Sequence, residues 1–321
     1  MTDVLLVSLG GTVGLREADA ELAASLRRAG ASVTIAAARR PREWRTLALI
    51  ELAWAIAARR AAAGALAQSR PRAVLYSSVT AALLAPRPGA IRFDAPAAGN
   101  RPGRHGIWQR PVERRRLAAA PLLVPWSAGG LAEAPVSGAD AVVVPVPVEP
   151  SGTPGACDIA AITYGANPEK KGFDRVLAAW RAARRDAEEL VVAGLTGRDE
   201  PGVRYTGLIP RDEYRALLRR ARVFVTAPRR EDYGIAQLEA LADGCVLVTT
   251  PSPGPYAALP LARQLDPRLV SDPLAIRVAL DDPVASYAAR AAELLAPWRV
   301  AAVDRVVETE LLPRLLRTAA G

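Results

Sequence analysis

RVFVTAPRREDYGIAQLEALADGCVLVTT, residues 222–250, reads as strand, loop, helix and strand. Val223–Thr226 is a short β-branched apolar run, and Ala227–Asp232 is a polar loop opened by Pro228. Gly234 admits a helix in which Ile235, Leu238 and Leu241 fall on one face at helical spacing. Gly244 stops that helix, as a glycine at a helix C-terminus does, and Cys245–Thr250 is a second buried strand. The unit is βαβ, with its loop at the carboxyl end of the first strand, where open α/β sheets bind ligands. Two acids mark it: Glu231 in the loop and Glu239 in the helix. Between them Asp232, Tyr233, Gly234 and Ile235 turn the chain into a helix whose first N–H groups have no partner inside it. Carboxylates accept from sugar hydroxyls and helix amides donate to anions, so the pairing suits a polyhydroxylated, phosphorylated ligand. Taken alone, the same two acids also read as a solvated helix residue and a surface loop charge.

At 321 residues the chain is long enough for two domains, each with its own core. Half of it is hydrophobic, which marks a folded globular protein. Lys+Arg 42 against Asp+Glu 33 gives +9. That balance fits anionic partners, whether phosphorylated substrates or an anionic membrane surface, and a coding bias toward Ala and Arg competes with both. Nucleic acid is excluded as the target, because aromatic residues are only 5% of the chain and do not interleave the basic ones. Cys157 and Cys245 form neither a disulfide framework nor a metal spacing. The start carries no basic, apolar leader. The longest apolar run, Thr46–Ala58, contains Glu51 and is too short to span a bilayer. It reads as a core helix, with rest on the inner face of a membrane as the alternative. The expected location is cytoplasmic.

The chain opens with a strand over Val4–Leu9, a GGTVG turn, a helix from Asp19 to Ala29 and a strand over Val33–Ala37. GGTVG lacks the Gly-x-Gly-x-x-Gly spacing of a dinucleotide fingerprint, yet Arg39 and Arg40 after the second strand keep an NADP-dependent oxidoreductase as a rival. A helix over Trp44–Ala67 leads to strands at Ala73–Ser78, Ala90–Ala95, Pro121–Trp126 and Ala141–Val146, the pattern of a parallel sheet covered on both faces. The loop after Ala95 carries His105, the single histidine, among Arg101, Arg104, Arg110 and Arg114–Arg116, cations that could meet a phosphate or an anionic acceptor. Pro145–Gly155 is dense in Pro and Gly and reads as a linker. The α/β pattern then restarts with strands at Ile159–Tyr164, Leu190–Ala193, Val203–Tyr205, Val223–Thr226 and Cys245–Thr249, and helices at Asp174–Arg185 and Arg211–Ala221. A last helical segment, Leu294–Arg317, is interrupted at Pro297. The expected domains are residues 1–150, 151–296 and a terminal helix over 297–321.

With these residues in place, Arg229–Thr250 resembles the signature of the family 4 retaining glycosyltransferases: a Glu, an aromatic-Gly pair, a second Glu, then Ala-Leu-Ala-x-Gly and an apolar strand. YGANPEKKG, residues 164–172, is similar to the same family's Gly-Arg-x-x-x-x-Lys-Gly, with Lys171 at the Lys and Ala166 where the Arg would stand. The resemblance implies a GT-B fold, two Rossmann-like α/β domains with parallel sheets facing an interdomain cleft, the terminal helix crossing back to the first. It implies that Glu231 faces the donor sugar and reaction centre, that Glu239 binds the nucleotide ribose, and that Lys171 neutralises the diphosphate. Ala166 supplies no cation, so one phosphate contact is either missing or comes from elsewhere, with Arg229 or Arg230 as the candidates. Donor contacts are further implied at Gly11 or Gly14, at Gly165, at the backbone near Leu208, and at Asp232, Tyr233, Gly234 and Ile235. His105 corresponds to an active-site histidine in the looser match of the first domain. The activity implied is metal-independent, retaining transfer from a nucleotide-diphosphate sugar, without a cofactor, to an acceptor the sequence does not name. A sugar-nucleotide-binding protein without turnover is the non-enzymatic alternative, for which Ala166 is the warning.

Overall fold

The structure is a computed structural model and describes residues 2–42, 46–101, 103–153 and 155–317. The chain divides into two compact units, Met1–Pro147 with Val300–Gly321, and Val148–Arg299.

In the first unit β1 (Val4–Ser8), β2 (Val33–Ala37), β3 (Ala73–Tyr76), β4 (Ala90–Phe93) and β5 (Leu123–Pro125) form a parallel sheet ordered β2-β1-β3-β4-β5. Strand alternation sorts its core into two layers. Leu5 and Val7 face Ala55, Ala58 and Ala62 of the helix Leu47–Gln68. Val4 and Leu6 face Leu22, Ala23 and Leu26 of the helix Val13–Arg28, together with Val303, Val307, Leu311 and Leu315 near the chain's end. Ser25 and Arg28 also hold Asp304, by bonds of 2.6 Å from Ser25 Oγ and from Arg28 Nε. The helix Val13–Arg28 starts six residues before the expected Asp19, because Thr12 caps it by accepting from Leu15 N at 3.2 Å. Trp44, the expected start of the next helix, lies outside the described residues. Ala141–Val146 is not a strand. Val142 N and Val144 N donate to Leu123 O and Pro125 O along β5, but Pro145 and Pro147 have no N–H with which to continue a ladder. No helix among the described residues is long and apolar enough to cross a membrane.

In the second unit β6 (Ile159–Tyr164), β7 (Leu190–Ala193), β8 (Val203–Gly207), β9 (Ala221–Val225) and β10 (Val246–Val248) form a second parallel sheet, ordered β10-β9-β6-β7-β8. The helix Phe173–Ala183 buries Val176, Ala179 and Trp180, and the Trp180 indole donates to Gly202 O at 2.8 Å. From β6 the chain winds outward through β7 to β8, then returns to β6's other side as β9 and β10. The chain therefore leaves the carboxyl ends of the neighbouring strands β6 and β9 toward opposite sides of the sheet, the place where a doubly wound sheet receives its ligand.

Candidate functional site

The loop after β6 is shaped by two left-handed residues. Asn167, at φ 57°, accepts from Lys170 N with its side chain, and Pro168 starts the one-turn helix Pro168–Lys171. Gly172 ends it at φ 62°, and a Cβ there would lie 1.9 Å from Ala227 O in the loop after β9. The two loops are thus in backbone contact, and Arg229 N donates to Lys170 O at 2.9 Å. Gly172→Ala is expected to cost about 2–5 kcal/mol, from left-handed strain plus the clash. A thermal melt checks it, and an unchanged midpoint would contradict the close approach.

This contact sets two adjacent lysines against two adjacent acids. Lys171 Nζ donates to Glu231 Oε2 at 2.6 Å, and Gln237 Nε2 donates to the same oxygen at 3.0 Å. Lys170 holds one oxygen of Asp232 and Arg230 Nε the other, the latter at 2.7 Å. Burial pushes the Asp232 carboxyl up, but Lys170 and Arg230 outweigh it and hold the group below its usual range. Arg229 turns outward onto Asp174 at 2.7 and 2.8 Å, and holds that exposed carboxyl at about 2. Both folded-state values are depressed. The stability they contribute is present above the unfolded carboxyl's pKa and is lost as pH falls through the folded ones. Stability should therefore decline from about pH 4 downward. Carboxyl titration by NMR should give Asp174 a midpoint near 2; a midpoint near 4 would deny the pair.

Glu231 and Asp232 are both buried, so Glu231 is not a surface loop charge; the polar loop is packed and its own cations hold it. Glu231 N donates to Pro253 O, and Gly254, at φ 107°, approaches Glu231 O so closely that a Cβ would lie 2.2 Å away. Gly234, at φ 92°, begins the helix Ile235–Ala242 without any side-chain cap. The first-turn amides remain for a ligand or water. Tyr233 is buried, and its hydroxyl accepts from Trp298 Nε1 at 3.0 Å.

Glu239 is buried on the same helix. Arg211 Nη2 reaches its Oε1 at 2.6 Å and Arg215 Nη1 at 3.5 Å. Arg215, itself 4% exposed, forks onto Asp243 at 2.6 and 2.9 Å and donates to Glu149 O at 2.7 Å. Asp243 also accepts from Ser151 N at 2.8 Å. Each signature glutamate therefore receives its described side-chain donors on one oxygen alone, Oε2 of Glu231 and Oε1 of Glu239. The other oxygen of each meets no donor among the described residues. Leu208 stands 84% exposed three residues before Arg211, and a Cβ at Gly165 would stand 3.0 Å from the Leu195 side chain.

Residues 159–296 match the sequence profile of the family described as Glycosyl transferases group 1. The whole chain shares its fold with sucrose-phosphate synthase from Thermosynechococcus elongatus, at TM-score 0.71 and 14% identity over 99% of this chain and 100% of that one. It is similar to the Anabaena protein HepE, solved with UDP and glucose, at TM-score 0.67 and 13% identity over 97% and 99%. It is similar too to the UDP-forming α,α-trehalose-phosphate synthase of Burkholderia xenovorans, solved with glucose-6-phosphate, at 0.65 and 14% over 99% and 100%. The fold is GT-B. No curated protein matches the chain by sequence.

Within residues 159–296 the fold gathers Lys171, Glu231, Asp232, Tyr233, Gly234, Ile235 and Glu239 around the loops that leave β6 and β9. Gly11, Gly14 and His105 belong to the other unit. There the glycine turn is pinned locally: Arg16 Nη1 donates to Gly10 O at 2.9 Å, and Ser8 at the end of β1 donates to Asp19. His105 has its backbone in a short 3-10 turn, Gly103–Gly106; its side chain lies outside the described residues. Sequence reasoning missed Lys170, Gln237, Arg211, Arg215, Asp243 and Gly254. The adjacent Lys170-Lys171 pair was the one signal available for any of them.

Proposed function

We propose that this chain is a retaining glycosyltransferase that moves a sugar from a nucleotide-diphosphate donor to an acceptor hydroxyl. The observation that carries the reading is the Lys171–Glu231 contact at 2.6 Å beside an uncapped helix start, with one oxygen of Glu231 and one of Glu239 lacking a described donor. HepE, solved with UDP and glucose, and the UDP-forming trehalose-phosphate synthase support the class of donor. In this reading Glu239 takes a ribose hydroxyl and Lys171 the diphosphate. Gly11, Gly14, Gly165 and the backbone near Leu208 supply further donor contacts, and His105 lies on the acceptor side.

As the bond from the anomeric carbon to the phosphate oxygen breaks, negative charge gathers on the departing diphosphate. Lys171 and the first-turn amides of Ile235–Ala242 stabilise that charge more than they stabilise the ground state. The acceptor oxygen bonds the anomeric carbon on the face the phosphate leaves, and its proton passes to the departing phosphate oxygen. Glu231 orients the sugar and faces the positive charge that develops on its ring. Charge neutralisation falls to side-chain cations, so a chelator should leave the rate unchanged.

The test is a panel of UDP- and GDP-sugars, with NADPH as a comparison, read by thermal shift and by NMR of the product. One sugar nucleotide should stabilise the chain and give a product of the donor's anomeric configuration. A shift with NADPH alone, or an inverted product, would overturn the reading. A cytoplasmic location goes with it, supported by the two free cysteines Cys157 and Cys245. So does peripheral contact with an anionic membrane, supported by exposed Leu47 and Leu49 ahead of exposed Arg59 and Arg60. Sedimentation with anionic but not neutral vesicles tests that contact.

A further inference from the structure

Gln237 occupies the third position of the helix Ile235–Ala242 and is 1% exposed. Its Nε2 donates to Glu231 Oε2 at 3.0 Å. A carboxylate only accepts, so this bond fixes which way the amide faces and turns Oε1 away from Glu231. That Oε1 is buried and has no hydrogen-bond partner among the described residues. Gly234, with no Cβ, lets the Tyr256 ring and Gln237 Oε1 approach the helix start, since a Cβ there would stand 2.8 Å from the ring and 3.3 Å from Oε1. The Tyr256 hydroxyl pairs with Thr249 Oγ1 at 2.7 Å. Past the end of β10, Thr250 Oγ1 is a second buried polar atom without a described partner, in a residue 9% exposed. The segment that follows is held against Glu231 by the bond from Glu231 N to Pro253 O.

Buried polar atoms in folded proteins are almost always paired, so an orphan acceptor at a site calls for a ligand that donates. A phosphate brings only acceptors and would be repelled by Gln237 Oε1 and the Glu231 carboxylate alike. A sugar hydroxyl donates to one oxygen and accepts from another group, so neighbouring hydroxyls of one ring match two neighbouring acceptors. The cations Lys170, Lys171 and Arg230 and the acceptors Glu231 and Gln237 thus divide the site into a part for anions and a part for hydroxyls.

We propose that Gln237 Oε1 accepts a hydrogen bond from a ring hydroxyl of the donor sugar, next to the hydroxyl taken by Glu231, and so helps decide which sugar is accepted. The assignment rests on the donor-site reading above and sharpens it. Calorimetry on the full chain compares UDP with UDP-glucose and GDP with GDP-mannose, for the wild type, Gln237→Leu and Gln237→Met. The wild type should bind one sugar nucleotide at least tenfold more tightly than its bare diphosphate. The variants should keep the diphosphate within twofold and lose most of the sugar's tenfold. In the wild type, one monodeoxy analogue of that sugar nucleotide should lose about tenfold; the same analogue should lose nothing further in Gln237→Leu. This arm needs no folded variant to find the hydroxyl. If diphosphate and sugar nucleotide weaken together, Gln237 only supports Glu231 and the proposal fails. It fails also if the variants leave the sugar's contribution intact, if no monodeoxy analogue weakens, or if the sugar adds nothing in the wild type. If neither nucleotide binds the wild type, the donor-site reading itself falls and takes the proposal with it.

Discussion

Glu231→Gln should lower sugar transfer about 10²–10³-fold while nucleoside diphosphate binding stays within a few-fold. The substitution keeps the volume and an acceptor for Lys171, which reaches Glu231 Oε2 at 2.6 Å. What it removes is the negative charge facing the ring as the glycosidic bond breaks, a term that acts only in the transition state. The loss should therefore fall on kcat and kcat/KM equally, with KM little changed. Steady-state kinetics with the donor identified by the panel give the answer. A rise in KM at constant kcat would assign Glu231 to uniform donor binding and remove it from the reacting centre.

Arg215→Met should destabilise the second unit by about 3–5 kcal/mol. Arg215 reads in the sequence as one more charge on a polar helix, RDEYRALLRR, yet it is almost fully buried. It neutralises Asp243 through two bonds, at 2.6 and 2.9 Å, and reaches Glu239 at 3.5 Å. Methionine fills the space of the stem but leaves Asp243 charged and buried, with Ser151 as its remaining donor. At about 2–4 °C per kcal/mol for a unit of this size, the melting midpoint should fall by about 6–20 °C. The double variant Arg215→Met, Asp243→Leu should recover much of the loss, because it removes the stranded charge. No recovery would mean that Arg215 acts through the Glu149 carbonyl and not through the acid.

What could be read in advance follows the range of the interactions. Strand positions followed from short apolar runs between turn residues, and Val33–Ala37, Ile159–Tyr164 and Leu190–Ala193 stand where those runs put them. Ala141–Val146 misled because its composition is that of a strand while its prolines deny it a ladder. At the site, Glu231, Glu239 and Lys171 were legible as members of contiguous motifs. Arg211 and Arg215 were not, because each meets its acid on another helix, 28 positions away for Arg211 and Glu239 and 28 for Arg215 and Asp243. Gln237 was hidden for a different reason. A glutamine in a helix reads as solvated, and only the packing of Gly234 and Tyr256 shows it buried. Gly254 carries no signal in the sequence, since its contact with Glu231 O depends on the course of two separate loops.

A structure of the chain in complex with UDP or GDP tests most directly whether this site holds a nucleotide. The account predicts a diphosphate oxygen about 3 Å from Lys171 Nζ and a ribose hydroxyl donating to Glu239 Oε2. A nucleotide seated away from both residues, or density at neither when the nucleotide is shown to bind in solution, would contradict it.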